Sequence, residues 1–158
     1  MKVFLSYALP FYDSTLPARL RANALGFNIE LLLPNVDERD KLTAQTKRKI
    51  KQSQAVIVLV TNQASQIEAV NLELQEAVKN FKEIVAFVES PNLVKGVPHN
   101  RMIIFNRHNF AEAQNSLFQV LSSIQAEQEG AKNLAVALFG LGAFALGLIA
   151  LGELSKEK

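Results

Sequence analysis

Hydrophobic and polar positions in the first 128 residues switch repeatedly between two periods. Lys2–Ser6 (KVFLS) is a short β-branched and aromatic run and reads as a strand. Asp13 then stands as an N-cap before a helical pattern in which Leu16, Leu20 and Ala24 share a face, and Gly26 is expected to close that helix as its C′ residue. Phe27–Leu33 (FNIELLL) reads as a second strand stopped by Pro34. A polar stretch, Asn35–Lys41, leads into a basic amphipathic segment that runs to Ser53. Ala55–Val60 (AVIVLV) is continuously apolar, as a strand buried on both faces is. Ser65-x-x-Glu68 has the form of a capping box opening a third helix, with Val70, Leu74, Ala77, Val78 and Phe81 as its apolar stripe. Ile84–Val88 and Met102–Phe105 give a fourth and a fifth strand, and Ala113, Leu117, Val120, Leu121 and Ile124 form one face of a last helix.

Strands alternating with helices predict a five-stranded parallel α/β sheet with helices on both faces. Ligands of such sheets sit outside the carboxyl ends of the strands. That directs attention to Ser6, Tyr7 and Ala8, to Asn35 and Asp37, to Thr61 and Asn62, and to Glu89–Ser90. Only Gly26 and Gly96 lie within this body, so the first strand lacks the glycine-rich turn of a dinucleotide fingerprint or a P-loop. There is no G-x-S-x-G elbow. His99 and His108 lack metal-ligand spacing, and no metal is expected.

Beyond residue 128 the pattern changes kind. A connector, 129–133, precedes Leu134–Gly152 (LAVALFGLGAFALGLIALG), a run of 19 residues without a charge, followed by a short polar tail, 153–158. As a helix it would be about 28 Å long, close to the hydrocarbon thickness of a bilayer. Four of the seven glycines lie in it, Gly140, Gly142, Gly147 and Gly152, and Ala143-x-x-x-Gly147 is a small-xxx-small pair suited to helix–helix contact in lipid. The expectation is a single-pass C-terminal membrane helix. The residues after Met1 do not read as a signal peptide, so the N-terminal domain, 1–128, is expected to be cytoplasmic at the cell membrane.

Composition adds exclusions. The chain has no cysteine, which rules out disulfides, thiolate metal sites and a cysteine nucleophile. Its 17 Lys+Arg against 15 Asp+Glu are scattered, so no nucleic-acid partner is expected. The run Lys47–Lys51 is compatible with a solvated helix face, an anionic membrane surface or nucleotide phosphates.

One residue stands out on the third helix. With Val70 at zero and about 100° per residue, the apolar stripe spans about −20° to 80°. Glu73 falls near about −60°, at its border, and Glu76 near about −120°, toward solvent. A carboxylate at the edge of a buried face is partly desolvated and suited to acid/base or electrostatic work; it also fits a surface glutamate reaching off the stripe.

Several segments together resemble TIR (Toll/interleukin-1 receptor) domains of bacterial type. Val3-Phe-Leu-Ser-Tyr7 with Asp13 beyond it is similar to the family's first box. Leu25-Gly26-Phe27 before the second strand, Ser53 and Thr61 flanking the third, and Val70-x-x-Glu73-Leu74-x-x-Ala77 follow in the family's order. The likeness covers about residues 1–125 and implies a flavodoxin-like fold. In catalytic members the glutamate of the last motif is essential for cleaving the nicotinamide–ribose bond of NAD. The resemblance therefore implies Glu73 as the catalytic residue, with NAD as substrate rather than cofactor. It would stabilise an oxocarbenium-like ribosyl cation or contact the ribose hydroxyls. Ser6 and Tyr7 would line the cleft, with Ala8, Asn35, Asp37, Thr61 and Asn62 as further substrate-binding positions. The chain departs from the family pattern in the loop Pro34–Thr43, which has no glycine, and in Ala69, where a tryptophan often stands.

The function implied is a membrane-anchored NAD glycohydrolase, activated by self-association through the domain and the C-terminal helix, in bacterial defence signalling. The alternatives are a non-catalytic scaffold or nucleotide-signal-binding module, and an effector that disrupts membranes through oligomerisation of its C-terminal helix.

Overall fold

A computed structural model describes residues 1–10, 14–35, 41–98, 101–106 and 115–123. The chain order is β1 (Lys2–Ala8), α1 (Leu16–Ala24), a 3-10 turn (Leu25–Phe27), β2 (Glu30–Leu32), α2 (Ala44–Gln52), β3 (Ala55–Val60), α3 (Ile67–Lys79), β4 (Glu83–Val88), a second 3-10 turn (Pro91–Leu93) and β5 (Met102–Ile104). A further helix, α4, is described over residues 115–123. The five strands form one sheet in the order β2-β1-β3-β4-β5, and every pairing is parallel. This is the flavodoxin-like order, with the switch point between β1 and β3.

The sheet is covered on both sides. Leu16, Leu20 and Ala24 of α1 and Leu117, Val120 and Leu121 of α4 pack on Val3, Leu5, Ile57, Leu59, Val85 and Phe87. Ile50 of α2 and Val70, Leu74 and Ala77 of α3 pack on Phe4, Val56, Val58, Val60, Ile84, Ala86 and Val88. Alternation along each strand sends successive side chains to these two cores. All six residues of β3 are buried, as a central strand between two helical layers requires.

Several local expectations are corrected. The second strand is shorter than Phe27–Leu33, because α1 passes into the 3-10 turn and the chain reverses at Asn28. Asn28, at φ 54, takes the left-handed position expected of Gly26. Asparagine tolerates that region, so a glycine nearby need not be the residue that uses it. The Ser65-x-x-Glu68 capping box does not open α3. Its N-cap is Gln66, itself left-handed at φ 69, with no side-chain cap bond. Val78 and Phe81, expected in the buried stripe, are 53% and 96% exposed. Helix α3 ends at Lys79, before Phe81, and its buried face is turned away from Val78.

The N-cap of α1 is Thr15, with no side-chain cap bond, and not Asp13, because the helix begins only at Leu16. The remaining expectations at Asp37, His99, His108, Ala113 and Ile124, and all those on residues 129–158, including the membrane helix at 134–152, lie outside the described residues. Among the described residues no helix is long and apolar enough to cross a membrane.

Candidate functional site

Residues Phe4, Ser6 and Ala8 alternate onto the α2/α3 face of β1. Ser6 is therefore a hydroxyl set in a row of apolar side chains, opposite Val58 in the β3 register. It is fully buried, and its Oγ donates to Glu73 Oε2 at 2.5 Å. Glu73 is itself only 4% exposed.

The depth of Glu73 follows from the way α3 sits. Its buried residues are Ala69, Val70, Glu73, Leu74, Glu76 and Ala77. On the wheel used above they span about −120° to 40°, an arc whose centre is displaced by about 70° from the apolar stripe. Glu73 lies inside this arc rather than on its border. Glu76, expected toward solvent, is also buried, and its Oε1 accepts from Asn80 Nδ2 at 3.0 Å. Hydrophobic periodicity assigns polar residues to water. A polar partner on the neighbouring strand or in the following turn removes that assignment.

Two residues beyond Ser6, about 7 Å along the strand, β1 ends at the fully buried Ala8. The Ala8 carbonyl accepts from Thr61 N–H at 3.2 Å, which seats Thr61 at the carboxyl edge between β1 and β3. Thr61 is 1% exposed, and its Oγ1 has no hydrogen-bond partner. Asn62 is exposed, and its N–H donates to Glu89 Oε2 at 2.5 Å, tying the end of β3 to the residue after β4. The sheet edge thus gathers Ala8, Thr61, Asn62 and Glu89 above the Ser6–Glu73 pair.

Tyr7 is not brought to that pair. Strand alternation points it at the opposite core, where it packs against the α1/α4 layer. This separation was readable from β1 itself, since neighbours in a strand face opposite sides. Asn35 is held further along the sheet edge, donating to Gln45 Oε1 at 2.5 Å and accepting from Lys49 Nζ at 3.2 Å. Lys49 also donates to the Leu33 carbonyl at 2.8 Å. The basic run Lys47–Lys51 therefore divides: Lys49 turns inward to brace the end of β2, while Lys47, Arg48 and Lys51 stay exposed. Composition alone carries no signal for that division.

Among the described residues no three His, Asp or Glu side chains are grouped as a metal ion would need. The chemistry available is that of a buried carboxyl group with a serine hydroxyl on one oxygen. When ionised, such a group acts on a cation developing within reach far more strongly than it would in water. The Thr61 hydroxyl can donate to or accept from a ligand hydroxyl.

No protein-family model matches the chain, and no curated protein matches its sequence.

Proposed function

We propose that the domain cleaves the N-glycosidic bond between nicotinamide and ribose in NAD, as a TIR-like enzyme tethered to a membrane by Leu134–Gly152. One observation carries the reading. Glu73, the residue the motif likeness singles out, is a buried carboxylate fixed by Ser6 near the switch point of the sheet. In this role Glu73 stabilises the ribosyl cation as nicotinamide departs, and water completes the hydrolysis. Ser6 orients the carboxylate. Thr61, whose hydroxyl is otherwise unpaired, binds a ribose hydroxyl at the strand ends. Self-association of the tethered domain switches the activity on, and a role in bacterial defence signalling fits an enzyme that consumes a central cofactor once clustered.

A second reading, a non-catalytic scaffold, draws on the same geometry. At 4% exposure Glu73 also serves as a polar brace of α3 on β1. The two readings part on nicotinamide release by the full chain in liposomes at high surface density. Release that disappears with Glu73→Gln, while assembly persists, supports the enzyme. No release from the crowded wild-type chain overturns it and leaves the scaffold.

A further inference from the structure

Helix α3 closes with a residue that stability alone would not choose. Lys82 N–H donates to the Ala77 carbonyl and Phe81 N–H to that of Val78, both at 3.0 Å. This is a Schellman closure with Phe81 at C′, the position usually given to glycine or asparagine. The backbone holds Phe81 at φ 52. Helix α1 closes in the same way, through Ile29 N–H to Ala24 and Asn28 N–H to Leu25, both at 3.1 Å, but there the left-handed residue is Asn28. The Phe81 side chain is 96% exposed, and Val78 beside it is 53% exposed. An aromatic ring in water on a left-handed backbone is unfavourable twice over, and no packing among the described residues offsets it.

The surroundings are basic. Lys51 and Lys79 are exposed. Lys82 Nζ donates to the carbonyls of Lys51 at 2.9 Å and Ser53 at 2.6 Å, which sets the ends of α2 and α3 side by side. Among the described residues, the acidic ones at this end have partners of their own: Glu76 accepts from Asn80. Glu83 pairs with Arg101 at 2.9 Å and Glu30 with Lys2 at 3.6 Å. Lysines in a last helical turn also complement the helix dipole, which accounts for Lys51 and Lys79 but not for Phe81.

The position of this patch carries the argument further. It lies at the amino edge of the sheet, just before β4 begins at Glu83. Helix α4 returns to that edge: the Phe118 ring stacks on Phe27, at the turn that leads into β2, with centroids 6.0 Å apart. From residue 123, only ten residues precede the apolar run that starts at Leu134. Ten residues reach at most about 35 Å.

We propose that this edge of the sheet lies on an anionic lipid surface, with Phe81 and Val78 at the headgroup–acyl boundary and Lys51 and Lys79 over the phosphates. Aromatic residues favour that boundary, and lysines near it are drawn to anionic headgroups. The orientation turns the carboxyl edge, with Glu73 beneath it, away from the membrane. The proposal rests on reading 134–152 as the tether, and its test separates the two.

The chain has no tryptophan. Phe81→Trp therefore gives a single emitter in the full-length protein. Ser65→Trp places the control at the other end of α3, about 20 Å away. In vesicles containing phosphatidylserine, the Phe81→Trp emission should shift to the blue and be quenched by brominated acyl chains, while that of Ser65→Trp should not. Neutral vesicles, or added Lys51→Gln and Lys79→Gln, should weaken the quenching, by about fivefold in the docked population for each lysine charge lost. A chain that floats with vesicles but keeps a water-like, unquenched Phe81→Trp emission overturns the orientation and leaves the tether. A chain that does not float overturns both. A blue shift that is indifferent to lipid and grows with protein density assigns the patch to a second copy of the chain, which also overturns the proposal.

Discussion

Ser6 and Glu73 stand 67 residues apart in sequence, and a 2.5 Å hydrogen bond joins them across the interface of β1 and α3. Both are buried. Removing either partner alone takes a hydrogen bond from a buried polar group. Removing both restores an apolar contact. Ser6→Ala should therefore lower stability by about 1–3 kcal/mol. The pair Ser6→Ala with Glu73→Met should cost less than the sum of its single substitutions. Urea unfolding of the four proteins in a double-mutant cycle checks this. Strict additivity would show that the two side chains are not coupled.

Thr61 makes the opposite prediction for stability and function. Its hydroxyl is buried without a partner, so Thr61→Val removes an unsatisfied group while keeping the shape of the side chain. Stability should be unchanged or rise, by up to about 1 kcal/mol in thermal or urea unfolding. If Thr61 binds a ribose hydroxyl, the same substitution should raise KM for NAD more than it lowers kcat. A loss of stability would mean that the hydroxyl contributes to the fold and is not held for a ligand.

The contrast between β3 and α3 shows what a linear pattern reveals. AVIVLV in β3 is apolar throughout, and burial between two helical layers is the arrangement that satisfies it. The parallel sheet follows from such runs alternating with helical stripes, and it was legible. Helix α3 was legible as a helix but not in its rotation about its axis. Five apolar positions suggested one face, yet the helix turns Val78 outward and Glu73 and Glu76 inward, because Ser6 and Asn80 supply partners for the two carboxylates. Those partners are invisible to a wheel drawn from one helix. The orphaned Thr61 hydroxyl was equally hidden, since only the packing around it shows that nothing bonds to it.

Phe81 was misread for a related reason. Counted as the next turn of the stripe, it falls at about 20° on the wheel and should be buried. The helix stops two residues earlier, and the closing turn takes it out of register. A structural test follows. Phe81→Gly places the usual residue at the left-handed position and should raise unfolding stability by about 1 kcal/mol. The same change should reduce contact with anionic vesicles. A protein made more stable and less able to dock would show that the aromatic ring is kept for something other than folding. A loss of stability would show instead that the ring has packing partners in the folded protein.

Lys82 provides the last test, because it joins two helix ends by a route that charge alone does not describe. Its ammonium donates to the carbonyls of Lys51 and Ser53, acceptors left at the end of α2 once that helix stops. Ser53 N–H closes the same end on Lys49 and Ile50, and its Oγ donates to Ile50 at 2.7 Å. Lys82→Met keeps most of the aliphatic stem and removes the donor. It should lower stability by about 1 kcal/mol, the net worth of bonds in a half-buried setting. Lys79→Met, one turn away and exposed, should change stability by less than about 0.5 kcal/mol. Salt separates the two effects further. An exposed charge is screened within about 10 Å at 0.1 M ionic strength, so the Lys79 effect should vanish at 0.5 M sodium chloride. The Lys82 effect should persist, because it comes from direct hydrogen bonds to backbone carbonyls. Equal effects for both substitutions, or loss of both in salt, would reduce Lys82 to one more surface cation and remove the link it makes between α2 and the turn that carries Phe81.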